Sequence, residues 1–225
     1  MSLQHSPRIV TNGLVLCLDA ANRKSYSGSG TVWTDLAGSN NGTLTNGPTF
    51  SSANAGSIVF DGSNDYVANN NIISDKPFTI SFWSKINATK NQCFYCSRTE
   101  IGRGISIFGL GLGGPQNTVR FDTGLDQWTT GYNIPINTWV NINLLVDSSN
   151  KTLFVNGVLH STTPFSSSIV NISTSLFTIG ASHINGTTID NFLNGTISNY
   201  FIYNRALTPA EIQQNYNATK GRYNL

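Results

Sequence analysis

The sequence predicts an all-β fold, a sandwich of two antiparallel sheets with one short C-terminal helix. Three observations predict it. Apolar and polar residues alternate along most of the 225 residues, the signature of half-buried strands. Strand-like segments, about ten to thirteen of them, recur at the short spacing typical of sandwiches. Only the last segment carries helix caps.

The elements follow in chain order. Residues 1–12 read as an N-terminal arm and 13–225 as a single domain. Strands are expected at 13–20, 42–50 and 57–61. Between 57–61 and the next strand lies "FDGSNDYV" (60–67). Its Asp61, Asn64 and Asp65 are either oxygen ligands for calcium or the polar residues of a tight turn. "FTISFWSKI" (78–86) places Phe78, Ile80 and Phe82 on one face and Thr79, Ser81 and Lys85 on the other. "CFYC" (93–96) sits in a strand-like run, where alternation puts Cys93 and Cys96 on opposite faces. Strands follow at 104–112 and 118–123. "GLGLGGP" (109–115) has no helix or Lys after it, so it reads as a strand end and not a phosphate loop.

"WVNINLLVD" (139–147) points Val140, Ile142, Leu144 and Val146 inward and Asn141 and Asn143 outward. "TLFVNGVLHS" (152–161) is a hairpin, with Asn156-Gly157 supplying both positive-φ residues of a type I′ turn. Further strands are expected at 175–181 and 194–203. In "RALTPAEIQQNYNATKGR", Thr208 is the N-cap, Pro209 is N1 and Glu211 is N3, a capping box. Leu207 staples onto Ile212; Ile212, Tyr216 and Thr219 share a face; Gly221 is the expected stop. The helix spans about residues 209–219, some three turns, and needs a sheet to dock on.

Composition excludes several functions. Charged residues are 11% of the chain and the net charge is +2. Without a basic stripe, nucleic acid is not an expected partner. No apolar run reaches membrane-spanning length, and no basic-then-apolar leader opens the chain; no membrane partner is expected. The three cysteines (Cys17, Cys93, Cys96) are an odd set, and no second pair or nearby His completes a zinc site. They read as packing thiols.

The blocks "GLVLCLDAAN", "VWTDLAGSNNGTLTNGPTF", "SIVFDGSNDYV", "FTISFWSK", "WVNI", "LFVNGV" and "FLNGTISNYFIYNRALTPAEIQQNYN" resemble, in this order, laminin-G-like domains of the concanavalin A-like superfamily. The resemblance runs from about residue 12 to 219. It implies a jelly-roll sandwich of two curved antiparallel sheets. The opening "HSPRIVTNGLVLCLDAAN" is similar to a subgroup common in tailed-phage proteins, particularly marine ones. Family members bind sugars, bind proteins, hydrolyse glycans or build assemblies, so function rests on the site.

No catalytic set is expected. A glycoside hydrolase needs two carboxyls about 5–9 Å apart. The two glutamates are Glu100, in a loop-like stretch, and Glu211, at the helix cap. The alternating acidic strand of related glucanases is absent. Asp122 and Asp126 flank a glycine turn. His5, His160 and His183 lie far apart, and there is no G-x-S-x-G. Cofactors are none, with a calcium ion at Asp61, Asn64 and Asp65 as the exception to test. Where relatives carry an acidic pair on the last strand, this chain has Ser198 and Asn199. Trp33 reads as packing. Trp128, with Tyr132, Asn133, Asp122 and Asp126, is the candidate glycan patch, set against a plain hairpin with one exposed aromatic.

The first expectation is therefore a non-catalytic virion surface protein of a phage, a capsid decoration or tail-associated component. It would be made in the host cytoplasm and would pair with other virion proteins or with itself. A carbohydrate-binding adhesion module, with cell-surface glycan as partner, is the alternative. A glycoside hydrolase is the third reading.

Overall fold

The computed structural model describes residues 7–70, 72–73, 75–100, 103–110, 117–123, 126–165, 176–184 and 188–225. Its strands are β1 (Leu14–Asp19), β2 (Val32–Trp33), β3 (Gly42–Thr45), β4 (Thr49–Ser51), β5 (Ser57–Asp61), β6 (Tyr66–Asn70), β7 (Phe78–Ile86), β8 (Gln92–Glu100) and β9 (Arg103–Leu110). The second half adds β10 (Thr118–Thr123), β11 (Asp126–Asn133), β12 (Val140–Val146), β13 (Asn150–Val155), β14 (Val158–Pro164), β15 (Leu176–Ile179), β16 (Ser182–Ile184), β17 (Thr188–Asp190) and β18 (Asn194–Tyr203). Helix α1 is Pro209–Thr219.

Two eight-stranded antiparallel sheets form the sandwich. The first runs β14-β13-β12-β7-β18-β5-β4, with β1 also paired to β18; the second runs β11-β10-β9-β8-β15-β6-β3-β2. A small β16–β17 hairpin packs beside β8. The expected strand at 42–50 is two strands, because Asn46 and Gly47 both take positive φ and turn the chain from one sheet to the other.

The alternation expected for β7 and β12 holds. Phe78, Ile80, Phe82, Val140, Ile142, Leu144 and Val146 all enter the inter-sheet core. Phe82 stacks on Tyr200 of β18 at 5.3 Å and on Phe94 of β8 at 5.3 Å, and Tyr95 meets Phe177 at 4.6 Å. These rings tie the sheets together.

One expectation fails at β8. Cys93 and Cys96 share a face instead of opposing one another. A register shift between Cys93 and Tyr95 sends two consecutive residues, Phe94 and Tyr95, into the core. This β-bulge resets the alternation. Cys93, Cys96 and Phe108 then form their own cluster. All three cysteines are buried, and burial pushes the Cys17 thiol up to about 12.

The β13–β14 turn is as expected, with Asn156 at φ 49° and Gly157 at φ 79°. Gly157 also lies against the helix: a Cβ there would sit 3.1 Å from Tyr216. Asn141 and Asn143 point away from the core, yet both are buried, because the C-terminal segment covers that side of the first sheet.

The helix docks through an apolar cluster of Val10, Cys17, Leu145, Phe154, Phe201, Tyr203, Leu207 and Ile212. The arm joins it: Val10 N–H donates to Asn215 Oδ1 at 2.8 Å, and Tyr203 O–H donates to the Val10 carbonyl at 3.0 Å. The capping box is present, with Thr208 and Glu211 exchanging bonds. Gly221 is not the stop. The helix passes into a 3-10 turn, Lys220–Tyr223, and Asn224 takes the left-handed conformation at φ 59°. The extra turn carries Tyr223 over Trp83, with ring centroids 4.1 Å apart.

Glu211 is doubly engaged. Arg205 forks its two nitrogens onto both carboxylate oxygens at 2.8 and 2.6 Å. The guanidinium holds the Glu211 carboxyl at about 2, below its ordinary 4.5. A depressed carboxylate stabilises the fold above its unfolded pKa and loses that contribution as pH falls through the folded one. Denaturant melts between pH 6 and pH 2 should therefore show a stability loss from about pH 4.5 downward that is smaller in Glu211→Gln. Thr208→Ala should cost about 1 kcal/mol at neutral pH, read from the denaturation midpoint.

Candidate functional site

The five residues of the expected glycan patch lie on the β10–β11 hairpin, but on its two opposite faces. The hairpin registers Phe121 with Trp128, Asp122 with Gln127, and Thr123 with Asp126. Since strand side chains alternate, Asp126, Trp128 and Tyr132 fall on the core side, with Phe121. Asp122 and Asn133 fall on the outer side.

The core-side group closes one edge of the sandwich. Trp128 is not an exposed aromatic: it and Tyr132 are half-buried and pack on the inter-sheet core. Tyr132 meets His160 of β14 edge to face at 5.2 Å. Ser161 O–H donates to the Thr130 carbonyl at 3.3 Å, joining β14 to β11. Deeper in, Lys151 of β13 is fully buried. Its ammonium lies 2.9 Å from Asp126 Oδ1 and over the rings of Phe121 and Phe165, at 5.7 and 5.2 Å. Burial pushes the Lys151 pKa down and Asp126 opposes that shift. This is a clasp between sheets, and Lys151 is the member the sequence does not single out, although alternation sets it on the face of Leu153.

The outer side is polar, exposed along β11 and buried along much of β10 and β9. Gln127, Thr129 and Asn133 alternate along β11 and are exposed. Beside them on β10, Arg120 Nε lies 2.7 Å from Asp122 Oδ1, and Thr118 O–H donates to Asn133 Oδ1. Register places Thr129 opposite Arg120 and Gln127 opposite Asp122. Ser106 and Phe108 of β9 continue the row. The result is an Arg–Asp pair, with Asp122 buried and Arg120 partly so, beside two amides and a hydroxyl that can donate and accept hydrogen bonds. Asp122 and Asp126 do not share a surface across which a bond could be held. Glu211 is occupied by Arg205 and the cap; the Glu100 side chain lies outside the described residues, as do His5 and the His183 side chain.

The "DGSND" corner uses its oxygens internally. Asp61 Oδ1 accepts from Ser63 N–H at 2.7 Å and Asn64 N–H at 3.4 Å, which lowers its pKa. Asp65 is buried, its pKa raised by that burial, and accepts from Asp61 N–H at 3.0 Å. The Asn64 carbonyl accepts from Asn46 Nδ2 at 3.0 Å. Gly62 sits at φ 80°, and a Cβ there would lie 2.7 Å from Asn194. Among the described residues, no group of three or more His, Cys, Asp or Glu side chains is placed to hold a metal ion.

The clasp gives a testable asymmetry. Lys151→Met keeps the buried volume and removes the charge, so its melting temperature should match or exceed the parent. Asp126→Ala leaves the buried ammonium alone and should cost on the order of 2 kcal/mol by chemical denaturation.

Known proteins share this architecture. A search of the curated proteins finds no match. Among solved structures, domain 4 of AbnA, a GH43 extracellular arabinanase from Geobacillus stearothermophilus solved with arabinotriose, aligns at TM-score 0.72 and 18% identity, over 90% of this chain and 98% of that one. The botulinum neurotoxin type G receptor binding domain aligns at 0.62 and 17%, over 91% and 51%. The binding domain of Paraclostridial Mosquitocidal Protein 1 aligns at 0.68 and 18%, over 92% and 52%. The chain thus spans about half the length of these toxin domains, and at such identities the likeness is one of fold. A family model, Laminin_G_3, described as Concanavalin A-like lectin/glucanases superfamily, matches residues 61–213. With two eight-stranded sheets, a C-terminal helix and that match in hand, the chain belongs to the laminin-G-type family of the concanavalin A-like lectin/glucanase superfamily.

Proposed function

We propose that this protein is a non-catalytic glycan-recognition module displayed on a phage particle, as a capsid decoration or tail-associated component. The observation that carries the glycan part is the outer face of β10–β11. Exposed Gln127 and Thr129 lie beside the Arg120–Asp122 pair on the neighbouring strand, with exposed Asn133 further along β11. Gln127 and Thr129, two residues and about 7 Å apart, and Asn133 four residues further on offer amide and hydroxyl groups to the hydroxyls along a saccharide chain. Arg120 is partly exposed and held in place by the buried Asp122, so it is a pre-organised contact that loses little entropy on binding. The solved relative bound to arabinotriose supports the ligand class. The particle part rests on the likeness of residues 5–22 to tailed-phage proteins.

The Asp61–Asp65 turn is assigned a structural role and not a calcium site, because its carboxylates already satisfy backbone N–H groups. Melting after dialysis against a chelator should match melting in millimolar calcium; a calcium-dependent rise would reverse this assignment.

A glycan array, followed by titration with the best hit, tests the recognition reading. Gln127→Ala/Thr129→Ala/Asn133→Ala should weaken binding at least tenfold with an unchanged melting temperature. Trp128→Ala should lower the melting temperature, since that ring packs on the core. Saccharide binding indifferent to the triple substitution would remove the outer face as the site. Mass spectrometry of purified particles tests the location, and absence of the chain from particles would overturn it.

A further inference from the structure

The outer face of the first sheet is built in two chemically different halves. Under the start of α1 it is apolar: Cys17, Leu145, Phe154 and Phe201 receive Leu207 and Ile212. Under the segment Tyr216–Tyr223 it is polar and aromatic. Asn141, Trp83 and Asn199 stand side by side across β12, β7 and β18, with Asn143 on the same face of β12. All four are buried.

The segment above holds this second half by polar and stacking contacts. Trp83 Nε1–H donates to Thr219 Oγ1 at 2.8 Å. The Trp83 ring stacks on Tyr216 and Tyr223, at 5.7 and 4.1 Å, and Trp139 meets Tyr223 at 4.7 Å. Arg222 forks onto Asp19 at 2.7 and 2.9 Å, and Asn54 Nδ2 donates to the Arg222 carbonyl at 3.0 Å. Beneath them, both amide atoms of Asn199 are buried without a hydrogen-bond partner.

An unpartnered buried polar group carries its full desolvation cost. Lifting the segment returns those groups to water, which offsets part of the lost stacking. We propose that Tyr216–Tyr223 is a releasable strap. It lifts while the sandwich stays folded and Leu207 and Ile212 stay docked, and it uncovers a face of one indole ring and the amides of Asn141 and Asn199. Arg222–Asp19 is its fastener.

Hydrogen exchange followed by NMR on the full chain tests this. The diagnostic proton is the Trp83 indole N–H, because simple fraying of the last residues would leave it protected. The expected result is that the Trp83 indole N–H and the amides of 216–223 exchange together. Their rate should be at least tenfold faster than that of the amides of Phe82 and Ile142. Arg222→Ala should accelerate the strap group further and leave the strand amides unchanged. Asp19→Asn, which removes the partner's charge and keeps the Oδ1 that accepts from Ala21 N–H, should move the same way and stands in if the Arg222 variant does not fold. A Trp83 indole N–H that exchanges at the strand rate, in the parent or in either variant, would overturn the proposal.

Discussion

The two sheets depend on one run of stacked rings. Phe82 and Tyr200 come from adjacent strands of the first sheet, and Phe94, Tyr95 and Phe177 from the second. Rings of this size bury large areas and tolerate few relative positions. They hold each sheet in register against the other. The bulge in β8 exists in their service: without it, Phe94 and Tyr95 could not both face inward. Its side effect is to place both cysteines of "CFYC" on the outer face, where Phe108 covers them.

The elements legible in sequence are those whose local rules agree with their surroundings. The Asn156-Gly157 turn, the capping box at Thr208 and the inward residues of β7 and β12 were all readable because period, turn chemistry and burial point the same way. The family blocks gave the architecture. The short strands β2, β16 and β17 were not readable, since two or three residues show no period. The bulge was invisible for a related reason: one extra residue changes the face of everything after it and leaves no compositional mark.

The candidate site shows the same division. Its residues were found in the right hairpin but grouped without regard to face. Trp128 looked exposed because its neighbours in sequence are polar, yet alternation alone sets it with Phe121. Lys151 was missed because a lysine in a strand is expected to point to water. Its burial depends on Asp126, twenty-five residues earlier and on the other sheet, and no local pattern reports such a partner. Asn141 and Asn143 were read correctly as facing away from the core, but a second layer lies on that side too.

The β13–β14 turn ties these layers to one another. Gly157 lies close enough to Tyr216 that a β-carbon would press on the ring, so the hairpin tip is also the helix's seat. Surface turns are the usual places to splice in an epitope, a tag or a fluorescent label. This one is unsuitable: any added residue there would push against Tyr216 and unseat the C-terminal layer from the sheet. The exposed stretch at 28–30, where Gly30 has open space around it, is the better place to decorate the domain without disturbing it.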